Sequence, residues 1–191
     1  GEELIYIFAR YYLSENKIKK GSIVVTNETA NYGLDNSLKK LGLKLKRVKV
    51  GDKNILKQIV DYKYFFGGEP SGHFIFKDDI LIGDGMTTAI RLLTLILKKN
   101  KKLSELRKGI DLFEVININQ RIDREKFYLS QESIYQKLNK LCKNFDIYYN
   151  IRPSGTEPLL RVNLQYEKRN IKVSILKKLK TQIIKVISDA C

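Results

Sequence analysis

The sequence predicts an α/β protein in two parts: a mainly parallel mixed sheet flanked by helices over residues 1–111, then a small α+β domain over 112–191. Three observations predict it. Apolar residues at helical spacing alternate with short runs of β-branched and aromatic residues through the first part. The pattern starts again at Phe113 with strand-like alternation. No low-complexity linker separates the parts, so the division rests on that restart. Helices that alternate with short buried strands make the strands parallel and cover both faces of the sheet.

Each element follows from its residues. Glu2 to Ser14 sets Leu4, Ile5, Phe8, Tyr11 and Tyr12 on one side, which predicts an opening amphipathic helix. Ser22 to Thr26 is a short buried strand. Leu34, Leu38 and Leu41 mark a second helix that Gly42 ends at its C-terminal cap. A strand at Lys44 to Val48 precedes a short helix carrying Ile55, Leu56, Ile59 and Val60. Tyr64-Phe65-Phe66 and Phe74-Ile75-Phe76 predict strands on either side of a glycine-rich turn. Met86 to Leu97 is helical. In the second part, Phe113, Val115, Ile116 and Ile118 predict a strand, Ser133 to Leu141 a helix, and Ile147 to Ile151 a strand. A strand through Leu159 to Leu164 and a closing helix from Val173 to Ile187 complete the unit.

Composition narrows the function. A chain of 191 residues with 43% hydrophobic content can bury real cores. No stretch approaches the roughly 20 apolar residues of a membrane helix, and no charged-then-apolar leader opens the sequence. The expectation is a soluble, cytoplasmic protein without a membrane partner. Cys142 and Cys191 cannot build a disulfide framework, and His73 is the single histidine, so Cys and His supply no metal-ligand spacing. Free thiols and no metal bound by this chain are expected. The net charge of +15 would suit nucleic acid. However, Lys39-Lys40, Lys98-Lys99, Lys101-Lys102 and Lys177-Lys178 are dispersed doublets, as expected of a solvated surface and no nucleic-acid partner.

Two loops carry chemistry. Gly67-Gly68-Glu69-Pro70-Ser71-Gly72-His73 combines three glycines with a carboxylate, a hydroxyl and an imidazole. Its glycines permit close approach, and Glu69 and Ser71 form the acceptor and donor pair that vicinal sugar hydroxyls need. A tight hairpin turn is the equal alternative. Arg152-Pro153-Ser154-Gly155-Thr156-Glu157-Pro158, with Arg161 beyond it, gathers anion-binding groups. Planar guanidinium forks at Arg152 and Arg161 suit phosphate oxygens, and Ser154, Thr156 and the amides around Gly155 can donate further bonds. The alternative there is a polar turn whose arginines meet water or Glu157. Lys49-Val50-Gly51-Asp52-Lys53 predicts a helix start with Asp52 as its N-cap. Gly83-Asp84-Gly85 predicts the turn that opens the helix from Met86, and Asp78-Asp79 a solvated turn.

These loops, in this order, resemble the α-D-phosphohexomutase superfamily, and the match runs essentially end to end. The resemblance makes residues 1–111 the sugar-binding third domain and 112–191 the phosphate-binding fourth domain. It implies that Glu69, Ser71, Gly72, His73, Lys49, Gly51 and Asp52 bind the sugar, and that Arg152, Ser154, Gly155, Thr156 and Arg161 bind phosphate. Lys49 to Lys53 and Gly83-Asp84-Gly85 are more similar to the phosphoglucosamine mutase branch than to the phosphomannomutase/phosphoglucomutase branch. Pro70 departs from that pattern.

The family's first domain carries a phosphorylated serine in a Ser-His-Asn-Pro-like loop, and its second an Asp-Gly-Asp-type magnesium loop. Neither motif occurs here. The resemblance therefore implies the carboxy-terminal half of an intramolecular phosphotransferase of amino-sugar metabolism, with no catalytic residue of its own. The full-length enzyme would use Mg2+ and a sugar 1,6-bisphosphate intermediate, and its amino-terminal domains would be this chain's partners, beside a phosphosugar substrate. A phosphomannomutase/phosphoglucomutase fragment and a non-catalytic phosphosugar-binding module are the alternatives.

Overall fold

A computed structural model describes residues 1–79, 81–145, 147–168 and 171–191, and in it the chain divides into two units, Gly1–Leu112 and Phe113–Cys191. The division falls one residue beyond the boundary expected from the sequence.

The first unit runs α1 (Glu2–Ser14), β1 (Ile23–Asn27), α2 (Gly33–Lys40), β2 (Lys44–Val48), α3 (Asp52–Tyr62), β3 (Phe66–Gly68), β4 (Phe74–Phe76), α4 (Gly85–Lys99) and α5 (Leu103–Leu106). Its sheet has the order β2-β1-β3-β4, with β1 parallel to both neighbours and β4 antiparallel to β3. Alternation along the strands sends successive side chains to opposite faces. Val24, Phe66, Phe74 and Phe76 join a core with α1, α2 and α4, whereas Val25 and Ile75 join Ile55 and Ile59 of α3 on the other face. Helix α1 lies deep: Ile5 to Ala9 are all buried, and Phe8 meets Phe74 and Phe76 edge-on at 5.6 and 5.2 Å.

Three local expectations differ from the structure, and one short helix has no counterpart among them. Strand β3 begins at Phe66 and continues through the glycine pair rather than spanning Tyr64 to Phe66. A Cβ on Gly67 would stand 2.6 Å from Ile55 Cγ2 and 2.9 Å from the Val25 carbonyl, so glycine is what lets β3 close against β1 and α3. The N-cap of α3 is Gly51 at φ +118°, and Asp52 is the first helical residue. Asp78 and Asp79 are not merely solvated, because Arg91 bridges them at 3.0 and 2.9 Å while lying over the Phe76 ring. Helix α5 carries no periodic signal because it is a single short turn. Elsewhere the unit agrees: Asp84 caps α4 by accepting from Met86 N and Thr87 N, and Gly42 takes φ +77° after α2.

The second unit runs β5 (Glu114–Arg121), α6 (Arg124–Lys143), β6 (Tyr148–Pro153), β7 (Leu159–Tyr166) and α7 (Val173–Ser188). Its antiparallel sheet has the order β5-β7-β6. Ile118, Ile151, Val162 and Leu164 face Phe127, Ile134 and Leu138 of α6 and Leu176, Leu179 and Ile183 of α7. Helix α6 begins well before Ser133, capped by Asp123, which accepts from Glu125 N and Lys126 N. Cys142 and Cys191 are free, and burial pushes the Cys142 thiol up to about 11, which leaves it inert. Among the described residues no helix is long and apolar enough to cross a membrane.

Candidate functional site

In the first unit the ends of β1, β3 and the start of α3 converge on Glu69. Thr26 donates its hydroxyl to the Gly68 carbonyl at 2.8 Å, tying β1 to the end of β3. The loop closes on itself as a hairpin: Glu69 N donates to the His73 carbonyl and Gly72 N to the Glu69 carbonyl, each at 2.9 Å. Gly72 takes φ +100°, a backbone state that favours glycine. Inside this turn the Glu69 carboxylate is buried, with 4% of the residue exposed. Its Oε1 accepts from Asn27 Nδ2 at 2.8 Å and from Gly51 N at 2.9 Å. Its Oε2 accepts from Ser71 Oγ at 3.4 Å and lies 3.5 Å from His73 Nδ1.

The electrostatics follow. Burial pushes the Glu69 carboxyl up, but the hydrogen bonds from Asn27, Gly51, His73 and Ser71 outweigh it and hold the group below its ordinary value. The loop therefore presents an ionised acceptor beside an exposed hydroxyl and an exposed imidazole, a set that can read adjacent hydroxyl and amine groups. The hairpin and ligand-loop readings of the sequence are thus compatible.

The structure brings Gly51, Asp52, Glu69, Ser71, Gly72 and His73 together. A Cβ on Gly83 would stand 2.7 Å from Asp52 Oδ2 and 3.2 Å from His73 Cβ, so that glycine admits the turn before α4 to the same place. Lys49 stands apart in role: its carbonyl accepts from Asn54 Nδ2, and its exposed ammonium has no partner among the described residues. Asp52, Glu69 and His73 also offer ligand atoms within 4.8 Å of one another. They do not fit the magnesium implied by the family resemblance. That ion takes an octahedron of oxygens, whereas one donor here is an imidazole and the Glu69 oxygens already accept from Asn27, Gly51 and Ser71.

In the second unit the loop between β6 and β7 is built on a cross-strand pair of arginines, Arg152 opposite Arg161. Like charges directly opposite each other on a sheet repel, a cost that a nearby anion would relieve. Arg161 Nη2 lies 3.3 Å from Ser154 Oγ and 3.4 Å from Glu157 Oε2, whereas the exposed Arg152 guanidinium has no partner among the described residues. Ser154 is buried and fixed, its N–H donating to the Leu159 carbonyl at 2.8 Å. Gly155 and Thr156 are exposed, and among the described residues their N–H groups have no protein acceptor. All five expected phosphate-binding residues are in or beside this loop.

Two residues that hold these loops carry no motif in the sequence. Arg124, at the start of α6, donates from Nη2 to the Ser154 and Glu157 carbonyls at 2.9 Å each, which fixes the loop's shape. Asn27 holds Glu69. Neither contact has a local signature, although the polar pair Thr26-Asn27 after the apolar run Ile23 to Val25 is a weak signal of buried hydrogen bonds.

Residues 1–113 match the family model described as phosphoglucomutase/phosphomannomutase, alpha/beta/alpha domain III. The chain is 34% identical to the phosphoglucosamine mutase of Ruminiclostridium cellulolyticum over 177 residues, which are 90% of this chain and 39% of that protein. It is 34% identical to the phosphoglucosamine mutase of Finegoldia magna over 195 aligned positions, covering 100% of this chain and 42% of that protein. A crystal structure of an N-acetylglucosamine-phosphate mutase of the α-D-phosphohexomutase superfamily superposes with a TM-score of 0.78 at 15% identity. That likeness covers 98% of this chain and 43% of the other, and shows the fold. The chain spans about two fifths of the length of the curated relatives it matches. With its first unit matched by the domain III model, the chain belongs to the phosphoglucomutase/phosphomannomutase family.

Proposed function

We propose that this chain is the substrate-holding part of a phosphoglucosamine mutase that interconverts glucosamine 6-phosphate and glucosamine 1-phosphate through a sugar 1,6-bisphosphate. The observation that carries the reading is the buried, ionised Glu69 beside exposed Ser71 and His73, in a chain whose relatives bear that enzyme's name. Glu69 and Ser71, assisted by His73 and Asp52, orient the ring through its hydroxyl and amino groups. Arg152, Ser154, Gly155, Thr156 and Arg161 clamp the phosphate that does not react.

On this reading a phosphoserine of the amino-terminal domains gives its phosphoryl group to the free sugar oxygen, and the bisphosphate, after reorienting, returns its other phosphoryl group to the serine. Any magnesium would be held by those domains and not by residues of this chain, and would supply charge stabilisation there. The residues described here act by alignment, which supplies much of the catalysis in phosphoryl transfer. On helix α4 the exposed stripe of Met86, Ile90, Leu93 and Leu97 is a surface that further domains would cover, in keeping with a chain completed by others.

Mixing the chain with a separately made amino-terminal portion tests the proposal. Mutase activity should appear in the mixture and be absent from either part. Turnover by the isolated chain would contradict it.

A further inference from the structure

The amide of Asn27 has one orientation that chemistry permits. Asn27 is 3% exposed at the end of β1, and its Oδ1 accepts from Thr29 N at 3.0 Å and from Thr29 Oγ1 at 2.7 Å. A backbone N–H can only donate, so the atom facing Thr29 is the oxygen and the nitrogen faces Glu69. That nitrogen donates to Glu69 Oε1, and Gly51 N donates to the same oxygen from a different element. A carboxylate held at one oxygen by two donors cannot turn about its terminal bond without losing both. The other oxygen, Oε2, faces Ser71 and His73 on the exposed side.

We propose that Asn27, pinned by Thr29, is a positioning residue for substrate recognition: it immobilises Glu69 Oε1 so that Oε2 is the oxygen offered to the sugar. The inference rests on the reading of Glu69 as a sugar contact. It adds that the geometry of this contact is set by a strand end 42 residues away in sequence, outside the loop that touches the ligand. Thr26, on the same strand, fixes the loop's backbone through Gly68, so one strand end positions both the main chain and the side chain of the recognition loop. The donors also keep the carboxyl ionised against the effect of burial.

The test uses Asn27→Asp, which preserves shape, cannot donate when ionised, and sets a second carboxylate against Glu69. Calorimetry with glucosamine 6-phosphate at about pH 7.5 should show affinity about tenfold or more below that of the unaltered chain, since hydrogen bonds to charged groups are the strong ones. The deficit should narrow as pH falls towards about 5.5, because a carboxylate pair takes up one shared proton and the hydrogen bond returns. Taking the ratio to the unaltered chain at each pH removes the titration of the ligand's phosphate. Asn27→Leu should lose as much affinity and recover none. Unchanged affinity in Asn27→Asp, or a deficit as independent of pH as that of Asn27→Leu, overturns the proposal.

Two further measurements keep the outcomes distinct. Carbon-detected NMR should show the Glu69 carboxyl titrating at higher pH in Asn27→Leu than in the unaltered chain, and an unmoved midpoint overturns the proposal whatever the ligand. Glu69→Gln that binds glucosamine 6-phosphate undiminished would refute the sugar reading itself, while the NMR midpoint still decides the role of Asn27. If the substitutions at Asn27 do not fold, Thr29→Val decides instead: it removes the hydroxyl bond to Asn27 Oδ1 and leaves the backbone N–H, which should weaken binding about threefold, and no change overturns pinning by the Thr29 side chain.

Discussion

In the loop at Glu69 the decisive side chain is buried together with the groups that hold it, whereas in the loop at Arg152 the decisive side chains stand in solvent. Glu69 draws donors from β1, from the start of α3 and from its own turn. The arginine loop has a fixed frame, set by Ser154 and Arg124, but the groups that would meet a ligand are exposed. The Arg161–Glu157 pair is 3.4 Å long with both side chains about half exposed, and such pairs contribute roughly 0–1 kcal/mol, so on the proposed reading a phosphate would displace it at little cost. On the proposed reading the difference suits the two ligand groups. Hydroxyls are neutral and are told apart by direction, so their receptor has to be rigid. Phosphate brings its own charge, and donors that gather around it suffice.

Substitutions sharpen the contrast in order of effect. Arg152→Ala should weaken binding of glucosamine 6-phosphate most, by about 30-fold or about 2 kcal/mol, because it removes a charged fork from the anion. The unaltered chain should also lose affinity steeply with added salt, and Arg152→Ala less so, as calorimetry across ionic strengths would show. Glu69→Gln should cost about tenfold for the phosphosugar and nothing for inorganic phosphate, since the amide keeps the shape but removes the charge. Arg124→Ala should cost about threefold, because it frees the Ser154 and Glu157 carbonyls while leaving the ligand-facing donors in place. Comparable losses from Arg124→Ala and Arg152→Ala would show that the second loop, too, depends on its frame.

The smallest effect concerns pH and stability. A carboxyl held below its ordinary value stabilises the fold at pH above the ordinary carboxylate range, and that contribution is lost as acid protonates the group through its folded value. The melting temperature of the unaltered chain should therefore exceed that of Glu69→Gln near neutral pH, by a few degrees at most. The gap should close as pH falls below the ordinary carboxylate range.

Local chemistry was legible in the sequence and long-range chemistry was not. Ser154, Gly155, Thr156 and the flanking arginines announce themselves because donors of several kinds fall within a few residues. Helices α1 and α7 were placed at or within a residue of their observed bounds because apolar residues recur through them at helical spacing. Helix α6 was foreseen only from Ser133 because Tyr128 and Leu129 are exposed, at 60% and 88%, and blur the stripe that Phe127 begins. Gly67 was assigned to a turn, yet it serves a strand, because what requires it is Ile55 and Val25 rather than its neighbours in sequence. Asn27 and Arg124 act across 42 and 30 residues, and nothing beside them in the chain foretells their partners.

The central claim is that one loop reads the sugar and the other the phosphate. Calorimetry comparing glucosamine 6-phosphate with inorganic phosphate, on the unaltered chain and on Glu69→Gln, tests it most directly. The account predicts that the unaltered chain prefers the phosphosugar about tenfold or more and that Glu69→Gln removes that preference while leaving phosphate affinity intact. Equal affinity for the two ligands in the unaltered chain, or an undiminished preference in Glu69→Gln, would contradict it.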